Sequence, residues 1–153
     1  MHVHFKLLPE AVFTAGVAGK QAVLEAIADR FAAVYKVDRE VVLESLLERE
    51  ALGSTGFGRG VAIPHARIAG ISRPVAVLLR LEEPIDFAAA DGMPVELVFG
   101  LLSPENAGAS HLQALAAISR IVRDEAMHRA LVESVDGEAL FALLTNHLDR
   151  DAA

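Results

Sequence analysis

The chain has no cysteine and no tryptophan, and only one tyrosine among 153 residues. Without cysteine there is neither a disulfide framework nor thiol chemistry, an absence compatible with a cytoplasmic protein. Although 53% of the residues are hydrophobic, alanine supplies much of that figure. No apolar run approaches the roughly 18–20 residues that cross a bilayer, so no membrane insertion is expected. The first residues lack a basic region followed by an apolar stretch and a cleavage site, so no signal peptide is expected either. Basic residues are in deficit: 14 Lys and Arg stand against 21 Asp and Glu, a net charge of -7. That balance argues against general nucleic-acid binding and suits a partner with a positive docking face. Repeats, linkers and low-complexity segments are missing too, and the length fits one domain over residues 1–153.

What is present reads as alternating strands and helices. Residues 12–16 form a short first strand. Val23, Leu24, Ile27, Phe31 and Val34 recur at helical spacing between Lys20 and Tyr35. Asp38 is a suitable N-cap for a second helix that carries Val41, Val42, Leu46 and Leu47 inward and ends near Glu50. Val75–Leu81, opened by Pro74, and Val95–Leu102 are nearly continuous apolar runs, as expected of strands covered on both faces. Ser110 is the expected cap of a helix reaching Arg123; helices around Ala126–Val135 and from Gly137 to Leu148 follow. Helices before, between and after strands predict an α/β fold of three α/β/α layers around a central sheet.

The most informative stretch runs from Gly53 to His65, GSTGFGRGVAIPH. Its four glycines predict a sharply turning loop able to bring backbone N–H groups close to an anion. Val61-Ala-Ile63 reads as a short buried strand that Pro64 ends, which holds His65 at a strand end beside a polar loop. Imidazole is nucleophilic near neutral pH and can carry a covalent group.

The segment Arg49 to Arg67 (REALGSTGFGRGVAIPHAR) resembles the active-site segment of the enzyme IIA proteins of the bacterial phosphotransferase system, in the fructose–mannitol class and nearest its nitrogen-regulatory branch. The similarity continues through Glu83–Phe87, Asp91–Phe99 and Ser110–Leu115, and extends from about Leu7 to about Leu148. It implies a mixed sheet, a phosphorylated histidine at His65 with Nε2 as the usual acceptor atom, and a second active-site histidine at His111. It also implies an active-site arginine at Arg49. The implied donor is HPr or its nitrogen-branch counterpart. Two departures stand out: Arg59 where asparagine is common in the family, and Ala66 where glycine is common.

The residues themselves support these roles to different degrees. His111 lies near a helix start, where free N–H groups and the helix dipole favour phosphate; a polar surface residue in a first turn is the other reading. Arg49 can grip phosphate with a planar fork, or it can simply pair with charges at a helix end, Glu50 among them. Ser54 and Thr55 offer hydroxyls to phosphoryl oxygens, or cap the loop. Phe57, between two glycines, is expected to be partly exposed and to form a docking contact. A nucleotide P-loop is ruled out because Gly53-x4-Gly58 is followed by Arg59 and Gly60. His2 and His4 are an unconvincing metal pair, and no other set has metal spacing, so neither metal nor cofactor is expected. His128 and His147 are placed on exposed helix faces without a role.

The expected protein is thus a phosphotransferase component with a phosphohistidine intermediate and regulatory output through target proteins. No fused IIB domain or membrane segment is visible, which favours regulation over the alternative, a sugar-transport IIA that passes phosphate to a IIB domain. A phosphoesterase using His65 and His111 as base and acid ranks third.

Overall fold

The computed structural model describes residues 4–152, and side chains as far as Leu148. His2 lies outside the described residues. In chain order the elements are β1 (Val12–Ala15), α1 (Lys20–Tyr35), α2 (Arg39–Ala51), β2 (Gly56–Gly58), β3 (Val61–Ala62), β4 (His65–Ile68), β5 (Val75–Ile85), β6 (Val95–Pro104), α3 (Gly108–Arg123), α4 (Glu125–Glu133) and α5 (Gly137–Ala152), with a 3-10 turn at Pro9–Ala11. The strands make one mixed sheet in the order β1-β5-β6-β3-β2, with β4 also paired to β6. β1 runs parallel to β5, β5 antiparallel to β6, and both β3 and β4 parallel to β6.

The three layers follow from alternation along β6. A Cβ built on Gly100 would lie 3.1 Å from both Ile27 and Phe31 of α1. Ser103, an odd number of residues away and so on the opposite face, bonds to His111 of α3. α1, with α2 packed against it, therefore covers one face, while α3, α4 and α5 pack in succession on the other. Gly100 has no room for a side chain, which is how Phe31 reaches the sheet and stays fully buried. Buried side chains of this size each contribute roughly 1.5–3 kcal/mol. β5 and β6 are the core: Val77, Leu78, Leu79, Val98, Phe99 and Leu101 are all fully buried.

Helix α1 has the predicted bounds, and Val23, Leu24, Ile27 and Phe31 are buried on one face. Asp38 caps α2, its carboxylate accepting from the N–H groups of Glu40 and Val41. Val41 does not point inward as predicted; it is 46% exposed. Val42 and Leu46, four residues apart, define the buried line, and Val41 lies about 100° away from Val42 around the helix. Leu47 is only partly buried.

Several boundaries also differ. β5 continues beyond Leu81 to Ile85, with a register irregularity after Arg80 that accommodates Pro84. The glycine-rich stretch is not an open loop. It is a hairpin, β2 to β3, whose turn places Gly58, Arg59 and Gly60 at positive φ. Ser110 does not cap α3, because the helix starts at Gly108 after Ala107, and the Ser110 hydroxyl donates to the Ala107 carbonyl at 3.0 Å. Among the described residues no helix is long and apolar enough to cross a membrane.

Candidate active site

β3 and β4 are two pieces of one parallel strand beside β6, separated by Ile63 and Pro64. Val61 and Ala62 pair with Leu97 and Val98, and His65 resumes the register opposite Leu101. Proline has no N–H for the ladder, and its carbonyl still accepts from Leu101 N at 3.0 Å. Ile63 turns its N–H to the Thr55 carbonyl at 2.9 Å, and in an extended strand its own carbonyl points the same way, off β6. That carbonyl meets the His65 ring, with Nδ1 at 2.7 Å. A carbonyl only accepts, so Nδ1 carries the hydrogen and Nε2 holds the lone pair.

His65 is half-buried, and its pKa is lowered. Burial is the main cause; the Ile63 bond and Glu50 oppose it, while Arg49 and Arg67 reinforce it. These causes together favour the neutral imidazole, whose Nε2 carries an electron pair.

His111 lies across from it, the ring centroids 5.7 Å apart and the planes at 49°. It is not a surface residue of a first turn but is 5% exposed. Its Nδ1 lies 2.6 Å from the hydroxyl of Ser103 on β6. Burial, then Arg67 and His65, push its pKa down to about 4. A hydroxyl can donate or accept, so Ser103 is compatible with either neutral tautomer of His111. Nε2 of His111 can therefore present a donor N–H or a lone pair.

Arg49 sits in the last turn of α2 and donates to the Gly53 carbonyl at 2.8 Å. Glu50, the neighbour that sequence offered as its pairing partner, is engaged elsewhere: it binds Lys20 at 2.8 Å and Thr55. The positive charge of Arg49 acts on His65, and a second guanidinium, Arg67, acts on both histidines. Arg67 was missed at the sequence level although the signal was there. Two residues after His65 on a strand is the same face, and its register partner is Ser103. Ser103 itself carried no local signal, because its bond to His111 joins a strand to a helix.

His65, His111, Arg49 and Arg67 thus converge. The hydroxyls of Ser54 and Thr55 are instead engaged within the site's wall. Ser54 Oγ donates to the Phe87 carbonyl at 2.8 Å and accepts from Gly56 N at 3.0 Å. Thr55 is buried, and its hydroxyl donates to Glu50. The N–H groups of Gly56 and Arg59 bond to Ser54 Oγ and to Asp91 Oδ2, so these two are not free for an anion. Gly56 is required for close approach, since a Cβ there would meet Ala89 Cα at 2.7 Å.

Phe57 is partly buried in β2, with the Arg123 guanidinium 5.7 Å from its ring centroid. Arg59 has φ 60°, a left-handed conformation that asparagine tolerates better than most residues. Its guanidinium pairs with Glu125 at 2.9 Å. His128 is not on an exposed face; it is partly buried, 3.8 Å from Glu96. His147 is likewise partly buried. Among the described residues no group of three or more His, Cys, Asp or Glu could hold a metal ion.

Residues 7–147 match the family model described as "Phosphoenolpyruvate-dependent sugar phosphotransferase system, EIIA 2". A nitrogen regulatory protein of Bradyrhizobium diazoefficiens is 43% identical over 137 residues, covering 89% of this chain and 90% of the relative. A fructose-specific EIIA component of Haloferax volcanii is 39% identical over 118 residues, covering 76% and 77%. The crystal structure of the nitrogen regulatory protein IIA-Ntr from Neisseria meningitidis superposes with a TM-score of 0.83 at 35% identity, covering 90% of this chain and 95% of that one.

Proposed function

The chain belongs to the EIIA 2 family of the phosphoenolpyruvate-dependent sugar phosphotransferase system, and on that premise we propose that it is a histidine phosphocarrier whose acceptor atom is Nε2 of His65. The observation that carries this is the bond from His65 Nδ1–H to the Ile63 carbonyl, with His111 opposite. The donor is an HPr-type phosphohistidine protein or its nitrogen-branch counterpart. In the transfer, the lone pair on Nε2 forms a bond to phosphorus as the donor's N–P bond breaks, and the donor imidazole regains its electron pair. Nε2 has no proton to lose, so the step needs no general base. His65 Nδ1 keeps its hydrogen throughout, bonded to Ile63.

The remaining chemistry is positioning and charge stabilisation. A loose, metaphosphate-like transfer spreads negative charge over three equatorial oxygens. Arg49 and Arg67 supply positive charge, and His111, in its Nε2–H tautomer, supplies a directed donor. Ser54 and Thr55 support the site by holding the wall rather than by touching phosphate.

The output is regulatory: the phosphorylated and free forms differ in their binding to target proteins. The naming of the 43% identical relative as a nitrogen regulatory protein supports this reading. The similarity to a fructose-specific EIIA component favours a second one, onward transfer to a fructose- or mannitol-type IIB domain. To test the carrier itself, the protein is incubated with a phosphorylated HPr-type donor and its acid-labile, alkali-stable phosphate is mapped. Label is expected on His65 alone; undiminished label in His65→Ala overturns the assignment. Offering the phosphorylated protein to a IIB domain separates the two outputs.

A further inference from the structure

Glu50 has a buried carboxylate that the phosphoryl chemistry above does not use. Its side chain is 5% exposed, yet it lies at the end of α2, one residue from Arg49. Lys20, the first residue of α1, pairs with it at 2.8 Å and also lies over the Phe87 ring, 4.7 Å from its centroid. Thr55 N–H donates to one carboxylate oxygen at 3.0 Å and the Thr55 hydroxyl to the other. The contacts continue toward the site. The Thr55 carbonyl accepts from Ile63 N–H at 2.9 Å, and the Ile63 carbonyl accepts from His65 Nδ1–H at 2.7 Å.

We propose that Glu50 is a positioning residue that holds the His65 imidazole in its Nδ1–H tautomer, acting through Thr55 and Ile63. The proposal rests on the reading of His65 as the phosphoryl acceptor. The geometry gives Glu50 two tasks. It ties the end of the helix bearing Arg49 to the hairpin entry at Thr55, so the cation and the imidazole share one frame. It also puts a negative charge behind the ring. When Nε2 bonds to phosphorus, the ring with its retained Nδ1–H becomes cationic, and a carboxylate at the far end of the bonded chain favours that state. A buried carboxylate left alone is costly; Lys20 offsets that cost, sharing Oε1 with the Thr55 N–H and leaving Oε2 to the Thr55 hydroxyl. Among the described residues, the charged or titratable groups facing His65 are Arg49 and Glu50 from α2, Arg67 from β4 and His111 from α3. Glu50 is the one anion among them.

The test uses the full chain with 15N-labelled histidine. Nitrogen shifts of His65 are followed against pH in wild type, Glu50→Gln and Lys20→Met. Glu50→Gln is expected to lower the His65 pKa, to admit the Nδ1-unprotonated tautomer and to slow phosphoryl acceptance about tenfold at an unchanged KM for the donor. Lys20→Met leaves the carboxylate uncompensated and is expected to raise the His65 pKa. Opposite shifts support the proposal, because a merely structural loss has no reason to change sign. An unmoved pKa and tautomer in both variants overturn it. If Glu50→Gln fails to fold, Lys20→Met decides: a raised pKa supports the proposal and an unmoved one overturns it. The nitrogen shifts need no phosphoryl donor, so failure of wild type to accept phosphate sinks the carrier reading and leaves this result standing.

Discussion

The site has two walls, and they treat the same side chain differently. On the β3–β4 wall, His65 is half-buried and its Nδ1 faces a backbone carbonyl. On the β6–α3 wall, His111 is buried and its Nδ1 faces a serine hydroxyl. A carbonyl accepts only, so His65 has one neutral tautomer and a permanent lone pair on Nε2. A hydroxyl rotates, so His111 can offer a donor when a phosphoryl group arrives and revert when it leaves. In the proposed transfer, two imidazoles 5.7 Å apart thus act as a fixed lone pair and an adaptable donor. The asymmetry comes from what each strand puts beneath the ring, not from the histidines.

Removing each ring in turn breaks the comparison most severely. His65→Ala is expected to abolish phosphorylation. His111→Ala is expected to accept phosphate still at His65, about 100-fold more slowly, the usual cost of one charge-stabilising donor. Single-turnover transfer from a phosphorylated donor measures both. A wild-type rate in His111→Ala places that ring outside the chemistry.

The walls should also separate in their response to acid. His111 is held at about 4 from an ordinary 6.5, chiefly by burial. A histidine with a depressed folded-state pKa contributes stability that is present above the unfolded value and is lost as pH falls toward the folded one. Between pH 6.5 and 4 this group alone should take away stability progressively as it is forced to accept a proton. His65, also lowered, acts in the same direction. Carboxylates contribute to acid unfolding as well, so the informative quantity is the difference from a His111→Asn variant. Urea unfolding at pH 7 and pH 4.5 should show the variant losing less stability than wild type. Equal losses contradict a buried neutral His111.

How much of this was legible in the sequence differs between the walls too. The β3–β4 wall is written in consecutive residues: glycines, a short apolar run, proline, histidine. The expectation at His65 came from these residues alone, but the shape around it was misread. Glycine carries no hydrophobic period, so Gly56–Gly58 looked like a loop when it is a strand, and its hydroxyl-bearing neighbours looked free when Phe87 and Glu50 engage them. The β6–α3 wall depends on a contact between Ser103 and His111, eight residues apart and on different elements. No local pattern announces it, and Ser110 beside His111 drew the cap assignment one turn too late. Helix α1 and the Asp38 cap were fully legible, because 3.6-residue periodicity and capping are local rules.

A smaller effect tests whether the α2 end belongs to the first wall. Arg49 already holds the Gly53 carbonyl with one nitrogen, leaving other donors of its planar fork for phosphoryl oxygens. Lysine has a point charge and no fork. Arg49→Lys should keep the fold and lose transfer rate about tenfold, the value of one charge-assisted hydrogen bond. A rate and donor affinity matching wild type reduce Arg49 to a helix-end charge.

The smallest expected effect concerns the rim rather than either wall. Phe57 lies on β2, half-covered, with Arg123 of α3 near its ring. It therefore lies between β2 and α3. Its buried part packs against the core, which alone accounts for an aromatic there. Its exposed part is available to a partner, and aromatic residues are frequent anchors at interfaces. A carrier must release one partner before it meets the next, so any such contact is weak, on the order of 1 kcal/mol or about fivefold in affinity. Two phosphoryl sources distinguish the roles: a phosphorylated donor protein, and a small phosphoramidate that needs no docking. Phe57→Ala should slow the first reaction about fivefold and spare the second. The first should also weaken with added salt, because the chain's charge of -7 favours a basic partner face. Equal slowing of both reactions means that Phe57 shapes the hairpin from within, and that docking is carried by other residues.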